Sequence, residues 1–340
     1  MAVVKANAYG HGALEVTRAL AGQVDLFGVA NVAEARECLE PAQGTSIFLL
    51  GAVLPQEREA AVRGGFLFGL SSGDEAAAFA ALADWAPGGR VRAHLVVDTG
   101  MGRMGVWHED ALAVARQIAA LPGIELTGVC SHLPSADEDE DFTRGQLATF
   151  SAVVANLRAA GIAVPVVHIE NSAGLIGFAG QVGTFARTGL ALYGVSPIPD
   201  FQARLRPVLA WKTRVILVRD FAAGRGVSYG RTFITPQPMR VATLAAGYAD
   251  GYPRQASGRG ANVLIGGQRC AILGRVTMDQ IMVDVSAVPS VQAGEEAVLL
   301  GAQGGAEISA NDVAAWGGTI PWHVFTGIGA RVGRRYVGGI

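Results

Sequence analysis

Only two lysines stand against twenty-five arginines in this chain, and one of them has the setting for covalent chemistry. Lys5 lies in Ala2-Val3-Val4-Lys5-Ala6-Asn7-Ala8-Tyr9-Gly10-His11-Gly12. The segment reads as a buried apolar strand with a lone ammonium at its C-terminal end, followed by a loop of small residues. A lysine so placed can form an imine with a carbonyl cofactor. The loop's glycines and backbone N–H groups can take a phosphate. Asp98, His132, His168 and Arg187 likewise stand at the ends of apolar runs.

These residues converge if the runs are strands of one barrel. Apolar, β-branched runs fall at Ala2–Lys5, Asp25–Val29, Ser46–Gly51, Phe66–Leu70, Val91–Asp98, Glu125–His132, Val164–His168 and Thr184–Leu190. Ala-rich helical patterns separate them. Continuous apolar runs suit parallel strands covered on both faces, and the alternation predicts an α/β fold closed as a (β/α)8 TIM-like barrel. No GxGxxG follows a strand, which argues against an open dinucleotide-binding sheet. In an eightfold barrel the C-terminal strand ends form the active-site face. After Pro199–Asp200 the texture changes to short strands with Gly-rich turns, Gly266-Gly267 being a hairpin signal. The expected organisation is a barrel over 1–205 and a smaller, mostly β domain over 206–340.

Composition narrows the function. A net charge of −2 gives no electrostatic case for nucleic acid or an acidic membrane surface. Mean hydropathy is +0.32, from abundant Ala, Val and Gly, and no apolar run approaches the ~18 residues of a membrane span. Cys38, Cys130 and Cys270 are far apart and odd in number, with no metal-binding spacing, so free thiols in a reducing, cytoplasmic setting are expected. No signal peptide is evident.

Six motifs in order, spread over nearly the whole chain, resemble those of alanine racemases, pyridoxal phosphate enzymes of fold type III. The stretch VVKANAYGHG resembles their cofactor-lysine motif. Asp98-Thr99-Gly100-Met101-Gly102-Arg103-Met104-Gly105 resembles DTGMGR(L/M)G, His168-Ile169-Glu170-Asn171-Ser172-Ala173 resembles HxANSA, and Arg187-Thr188-Gly189-Leu190 opens a segment similar to RxG(I/L)xxYG. Gly247-Tyr248-Ala249-Asp250-Gly251-Tyr252 resembles GYADGY, and Gly274-Arg275-Val276-Thr277-Met278-Asp279-Gln280 resembles GR(V/I)(S/C)MDQ. The resemblance implies a cytoplasmic homodimer that interconverts L- and D-alanine and supplies D-alanine for peptidoglycan. It makes Lys5 the cofactor lysine and the base on one face of Cα, and Tyr248, from a second subunit, the base on the other. Tyr9, Ser172, Gly189 and Leu190 would surround the phosphate, with His168 beside the pyridine ring and Arg187 at its nitrogen. Arg103 and Met278 would meet the substrate carboxylate, His132 would bond the catalytic tyrosine, and Asp279 would support the site. No metal is implied. A broader amino-acid or serine racemase, a decarboxylase of the same barrel type and a non-catalytic cofactor-binding barrel are the alternative readings. GYADGY and GRVTMDQ argue against the last, because a mere carrier needs no opposing base.

The chain departs from the family at several places. It begins four residues before Lys5, where members carry an additional strand and helix, so exposed apolar surface is expected there. Val96 stands where many members have a lysine that becomes carbamylated and orients the arginine. Glu170 replaces a common alanine. Ala330 stands where a phosphate-binding tyrosine is frequent, and Pro321-Trp322-His323 replaces a Tyr-Glu pair at the substrate entrance.

Overall fold

The apolar runs of the first two hundred residues form one parallel sheet in the computed structural model, which describes residues 1–338. Its strands are β1 (Ala2–Val3), β2 (Leu26–Val29), β3 (Ser46–Leu49), β4 (Leu67–Leu70), β5 (Val91–Asp98), the short β6 (Val106–Trp107), β7 (Ile124–Cys130) and β8 (Val166–His168). They follow the order β1-β2-β3-β4-β5-β7-β8, with β6 beside β5. Residues 184–188 complete the ring. The Thr184 N–H donates to the Val167 carbonyl at 2.6 Å, and the Arg187 N–H to that of Glu170 at 2.9 Å. On the other side the Val3 N–H donates to Thr188 and the Thr188 N–H to Met1. The expected strand Thr184–Leu190 thus supplies the eighth stave without regular strand geometry. The Thr184 hydroxyl both accepts from the Val167 N–H and donates to its carbonyl, a side-chain substitute for a regular ladder.

Phe27, Phe68, Leu70, Leu95, Val129 and Val167 have essentially no exposed surface. Strands buried on both faces explain the unbroken apolar runs. The helices between them begin where the sequence offers caps. Asn31, Ser72, Asp139 and Asn171 each accept a backbone N–H from the first turn, which satisfies donors a helix start leaves unpaired.

The chain divides into two units, Met1–Leu205 and a second that begins at Arg206. The second is built on an antiparallel sheet. Its strand order is Gln268–Ala271, Asn262–Ile265, Glu296–Gln303, Trp211–Phe221, Met239–Leu244 and Ile281–Asp284, with Ala306–Ile308 paired to Glu296–Gln303. Gly266 and Gly267 both have positive φ, 58° and 77°, as a tight hairpin turn requires. Two helices, Ala310–Gly317 and Pro321–Gly327, add to the mostly β expectation. Their signals were present in the sequence: a Ser309–Asp312 capping box and Pro321 in the first helical turn.

Candidate active site

Lys5 stands at the end of the first stave, where the backbone turns sharply. The expected strand Ala2–Lys5 ends at Val3, and Lys5 opens a turn instead. Ala6, Asn7, Ala8 and Tyr9 all have φ of 52–54° and are followed by Gly10 at 79°. This is a full left-handed helical turn, in which each non-glycine residue costs ~1–2 kcal/mol. Local bonds hold it. The Ala8 N–H reaches the Val4 carbonyl, the Gly10 N–H that of Ala6, and the Gly12 N–H that of Asn7. The Asn7 side chain accepts from the Ala13 N–H at 2.8 Å, and the Glu34 carboxylate accepts from Ala6 at 2.8 Å and Ala30 at 2.7 Å. Two alanines and an asparagine keep side-chain bulk low over most of the turn, and Tyr9 is the bulky exception. Burial lowers the Lys5 pKa, helped by the Arg103 and Arg187 charges and opposed by Glu34. A larger share of free amine at neutral pH makes it a better nucleophile and base.

Arg187 is the hub of the buried polar cluster. Its Nη1 donates to His168 Nδ1 at 2.6 Å and to the His168 carbonyl at 3.1 Å. Its Nη2 reaches the Ser131 carbonyl at 2.7 Å, His132 Nδ1 at 3.0 Å and the Ile169 carbonyl at 3.0 Å. The terminal nitrogens are therefore committed to the protein, and Nε has no bonded acceptor among the described residues. Burial lowers the Arg187 pKa, while the nearby Cys130 and Glu170 groups oppose that. A guanidinium still remains charged at any ordinary pH. Because it can only donate, His168 and His132 must each present an unprotonated Nδ1. Neutral His132 then carries its proton on Nε2, free to donate elsewhere. Burial and Arg187 hold His94 and His132 down to about 3 and His168 well below the usual histidine value. Glu170 is buried, accepts from the Gly183 N–H at 3.4 Å through Oε1, and has no partner on Oε2.

These depressed values predict an acid-labile barrel. The unfolded histidines titrate near ~6.5, so unfolding takes up protons that the folded chain refuses. The stabilisation is complete above that pH and is lost as pH falls toward about 3. Each such histidine contributes a slope of up to ~1.4 kcal/mol per pH unit. Denaturant unfolding followed between pH 7 and 4.5 is expected to show a steep loss of stability; a flat profile would contradict neutral histidines.

A second polar group in the same unit joins Ser172 to the turn at 189–191. Asn171, not Ser172, caps the helix Ser172–Phe178. Ser172 is buried, and its Oγ accepts from the Gly189 N–H at 3.0 Å and the Ala191 N–H at 3.2 Å. A Cβ on Gly189 would lie 2.5 Å from the Tyr9 hydroxyl, so only glycine lets this phenol approach. Burial raises Tyr9 to about 12, which keeps it a neutral hydrogen-bond donor. Hydroxyls and backbone N–H groups of this kind suit a phosphate. Lys5, Tyr9, Arg103, His132, His168, Ser172, Arg187, Gly189 and Leu190 all belong to this first unit, and the Arg103 charge is felt at Lys5, His132 and Arg187. Val96 packs on Gly69, where a Cβ would come within 2.3 Å of its Cγ2, so an apolar contact occupies that position.

The second unit brings Tyr248, Met278 and Asp279 together. The Tyr248 N–H donates to the Thr277 carbonyl and the Ala249 N–H to that of Met278, both at 3.0 Å. Gly247 permits this, since a Cβ there would sit 2.3 Å from both carbonyl oxygens. Arg331 clamps the two loops, with Nε 2.7 Å from Asp250 and Nη2 2.7 Å from Asp279. Burial pushes the Asp250 pKa up, but bonds from Arg331 and the Gly247 N–H outweigh it and leave the carboxyl lowered. Tyr248 and Met278 are exposed, at 40% and 53%. Sequence reasoning missed Glu34, His94 and Arg331. Asn31-x-x-Glu34 had the look of a helix start, but no local signal revealed that the carboxylate also holds the lysine turn.

A parallel barrel with a lysine of lowered pKa at its rim, beside a buried arginine–histidine cluster, is an arrangement suited to an enzyme that holds a carbonyl cofactor on the lysine. The alanine racemase N-terminal domain model matches residues 1–197 and the C-terminal domain model residues 208–336. The chain is 42% identical to the alanine racemase of Symbiobacterium thermophilum, over 99% of this chain and 90% of that protein. Its fold is similar to the alanine racemase of D-cycloserine-producing Streptomyces lavendulae, with a TM-score of 0.92 and 37% identity over 100% and 91% of the two chains. It is also similar to the Bartonella henselae alanine racemase with covalently bound pyridoxal phosphate, with a TM-score of 0.88 and 29% identity over 99% and 92%. The chain belongs to the alanine racemase family.

Proposed function

We propose that this protein interconverts L-alanine and D-alanine with pyridoxal 5'-phosphate on Lys5, and that Tyr248 of a second copy of the chain provides the opposing base. The observation that carries the proposal is the Lys5 amine, lowered in pKa and sharing one barrel with the Ser172–Gly189 contact and Arg187. The donor set suits the cofactor. Tyr9, Ser172 and the N–H groups of Gly189 and Leu190 would hold its phosphate, His168 would lie against the ring, and the uncommitted Nε–H of Arg187 would face the ring nitrogen. When bound, pyridoxal phosphate supplies the electron sink that makes the Cα proton removable.

The protein's part is proton placement. Inversion needs a proton to leave one face of Cα and another to arrive on the opposite face, so two fixed bases suffice. Lys5 serves one face. Tyr248 serves the other, with His132 Nε2–H as its hydrogen-bond donor. Arg187 holds a hydrogen bond without handing over a proton, which limits electron withdrawal and favours reprotonation at Cα. Arg103 and the Met278 N–H would hold the carboxylate, and Asp279 would steady Met278 through Arg331. Because Tyr248 comes from a second copy, a homodimer is the active unit. Three buried free thiols fit a reducing cytoplasm, where D-alanine would serve the cell wall. The test is chiral analysis of alanine incubated with the cofactor-loaded protein. Approach to equal L and D from either side supports the assignment, and an unchanged enantiomer refutes it.

A further inference from the structure

The histidine–arginine cluster has one member that no motif singles out. His94 on β5 is completely buried, and its Nδ1 lies 2.8 Å from His168 Nε2. Phe48 covers both rings, with centroids 5.0 Å from His94 and 5.6 Å from His168. Gly128 on β7 is the neighbouring residue in register, and a Cβ there would come within 2.9 Å of the His94 ring. The barrel interior is therefore shaped around this imidazole. Its Nε2 has no hydrogen-bond partner.

Proton bookkeeping along the chain of contacts has one solution. The Arg187 guanidinium can only donate, so His168 Nδ1 at 2.6 Å must be the acceptor. Neutral His168 then has its proton on Nε2, which points at His94 Nδ1. His94 must accept there, so its own proton sits on Nε2, the buried nitrogen without a partner. An unsatisfied buried donor is costly, and the fold retains it.

We propose that His94 is a positioning residue: by accepting from His168 Nε2–H it fixes the tautomer in which His168 Nδ1 receives Arg187, and so aims the arginine. This rests on the proposed role of Arg187 toward the cofactor ring. Without an acceptor at position 94, the Nε2–H that Arg187 favours on His168 is left buried and unpartnered, and that cost weighs against the tautomer. The other tautomer would turn an N–H toward the Arg187 N–H and push the guanidinium off its line. Outer partners of this kind set ring orientation and tautomer in histidine-based sites.

Nitrogen NMR of histidine-labelled, cofactor-loaded protein tests this directly, together with the His94→Asn and His94→Leu variants. Expected in the wild type are protonated Nε2 and unprotonated Nδ1 on both His94 and His168. His94→Asn keeps an acceptor near Nδ1 and should retain the His168 tautomer and kcat within a few-fold. His94→Leu should lose that single tautomer and lower kcat by about tenfold or more, with KM little changed and the near-visible absorbance shifted. A proton on Nδ1 of either ring in the wild type overturns the proposal. So does a His94→Leu variant with unaltered tautomer and kcat, or an Asn variant as impaired as the Leu variant. If His94→Leu does not fold, the wild-type tautomers and the Asn variant still decide. Failure of the wild type to racemise alanine would refute the enzymatic reading and leave the tautomer result standing.

Discussion

Lys5→Ala protein is expected to fold normally, take up no covalently attached pyridoxal phosphate and lose alanine racemisation by ~10⁴-fold or more. Lys5 is half-buried, and among the described residues its amine makes no hydrogen bond. Its removal also takes away a charge that Arg103 and Arg187 disfavour. The stability change should therefore stay small. The chemical loss has no substitute. The only other lysine, Lys212, lies in the strand Trp211–Phe221 with its amine 3.0 Å from Glu296. Borohydride fixation followed by peptide mass analysis reads this out: wild-type protein should carry the cofactor mass on the Lys5 peptide and the variant on none. Alanine turnover preserved in Lys5→Ala would sink the role assigned to the lysine.

Tyr248→Phe should separate cofactor binding from inversion. Tyr248 is 40% exposed, and its backbone N–H, not its hydroxyl, bonds the Thr277 carbonyl. The variant should keep its loop, its fold and its lysine-bound cofactor. Loss of one acid–base group removes ~10²–10⁴-fold of rate. L- and D-alanine have equal energies in solution, so kcat/KM must fall equally in both directions. The asymmetry should appear in α-proton exchange. In deuterium oxide, Lys5 should still exchange the proton of one enantiomer without inverting it, while exchange of the other is lost. Racemisation at the wild-type rate, or equal residual exchange of both enantiomers, would remove Tyr248 from the mechanism.

Much of this architecture was readable because it rests on local pattern. Eight apolar runs separated by Ala-rich helices specify a parallel barrel, and polar residues at the run ends specify its working face. The six motifs gave the residues to look for. The remainder depends on conformation and long-range contact. Small residues after Lys5 permit many loops, and only the φ values of Ala6 to Tyr9 reveal a left-handed turn. Ser172 and Asn171 are both good cap residues, so the chain alone did not show that asparagine takes the cap and frees the serine for Gly189. A histidine in an apolar strand looks like core, which hid His94 until its distance to His168 was known. Arg331 lies 81 residues from Asp250, beyond the reach of any local pattern. The closing stave at 184–188 escapes regular strand geometry because Thr184 bonds through its side chain.

The most direct test of the two-base account is the isotope at Cα of newly formed D-alanine when cofactor-loaded wild-type protein acts on L-alanine in deuterium oxide. Separate bases on opposite faces predict that early D-alanine carries deuterium while the remaining L-alanine is still largely protiated, with the mirror result from D-alanine. Early D-alanine that retains protium at Cα would mean one group carries the same proton across, and no D-alanine at all would mean the chain is not a racemase; either result contradicts the account.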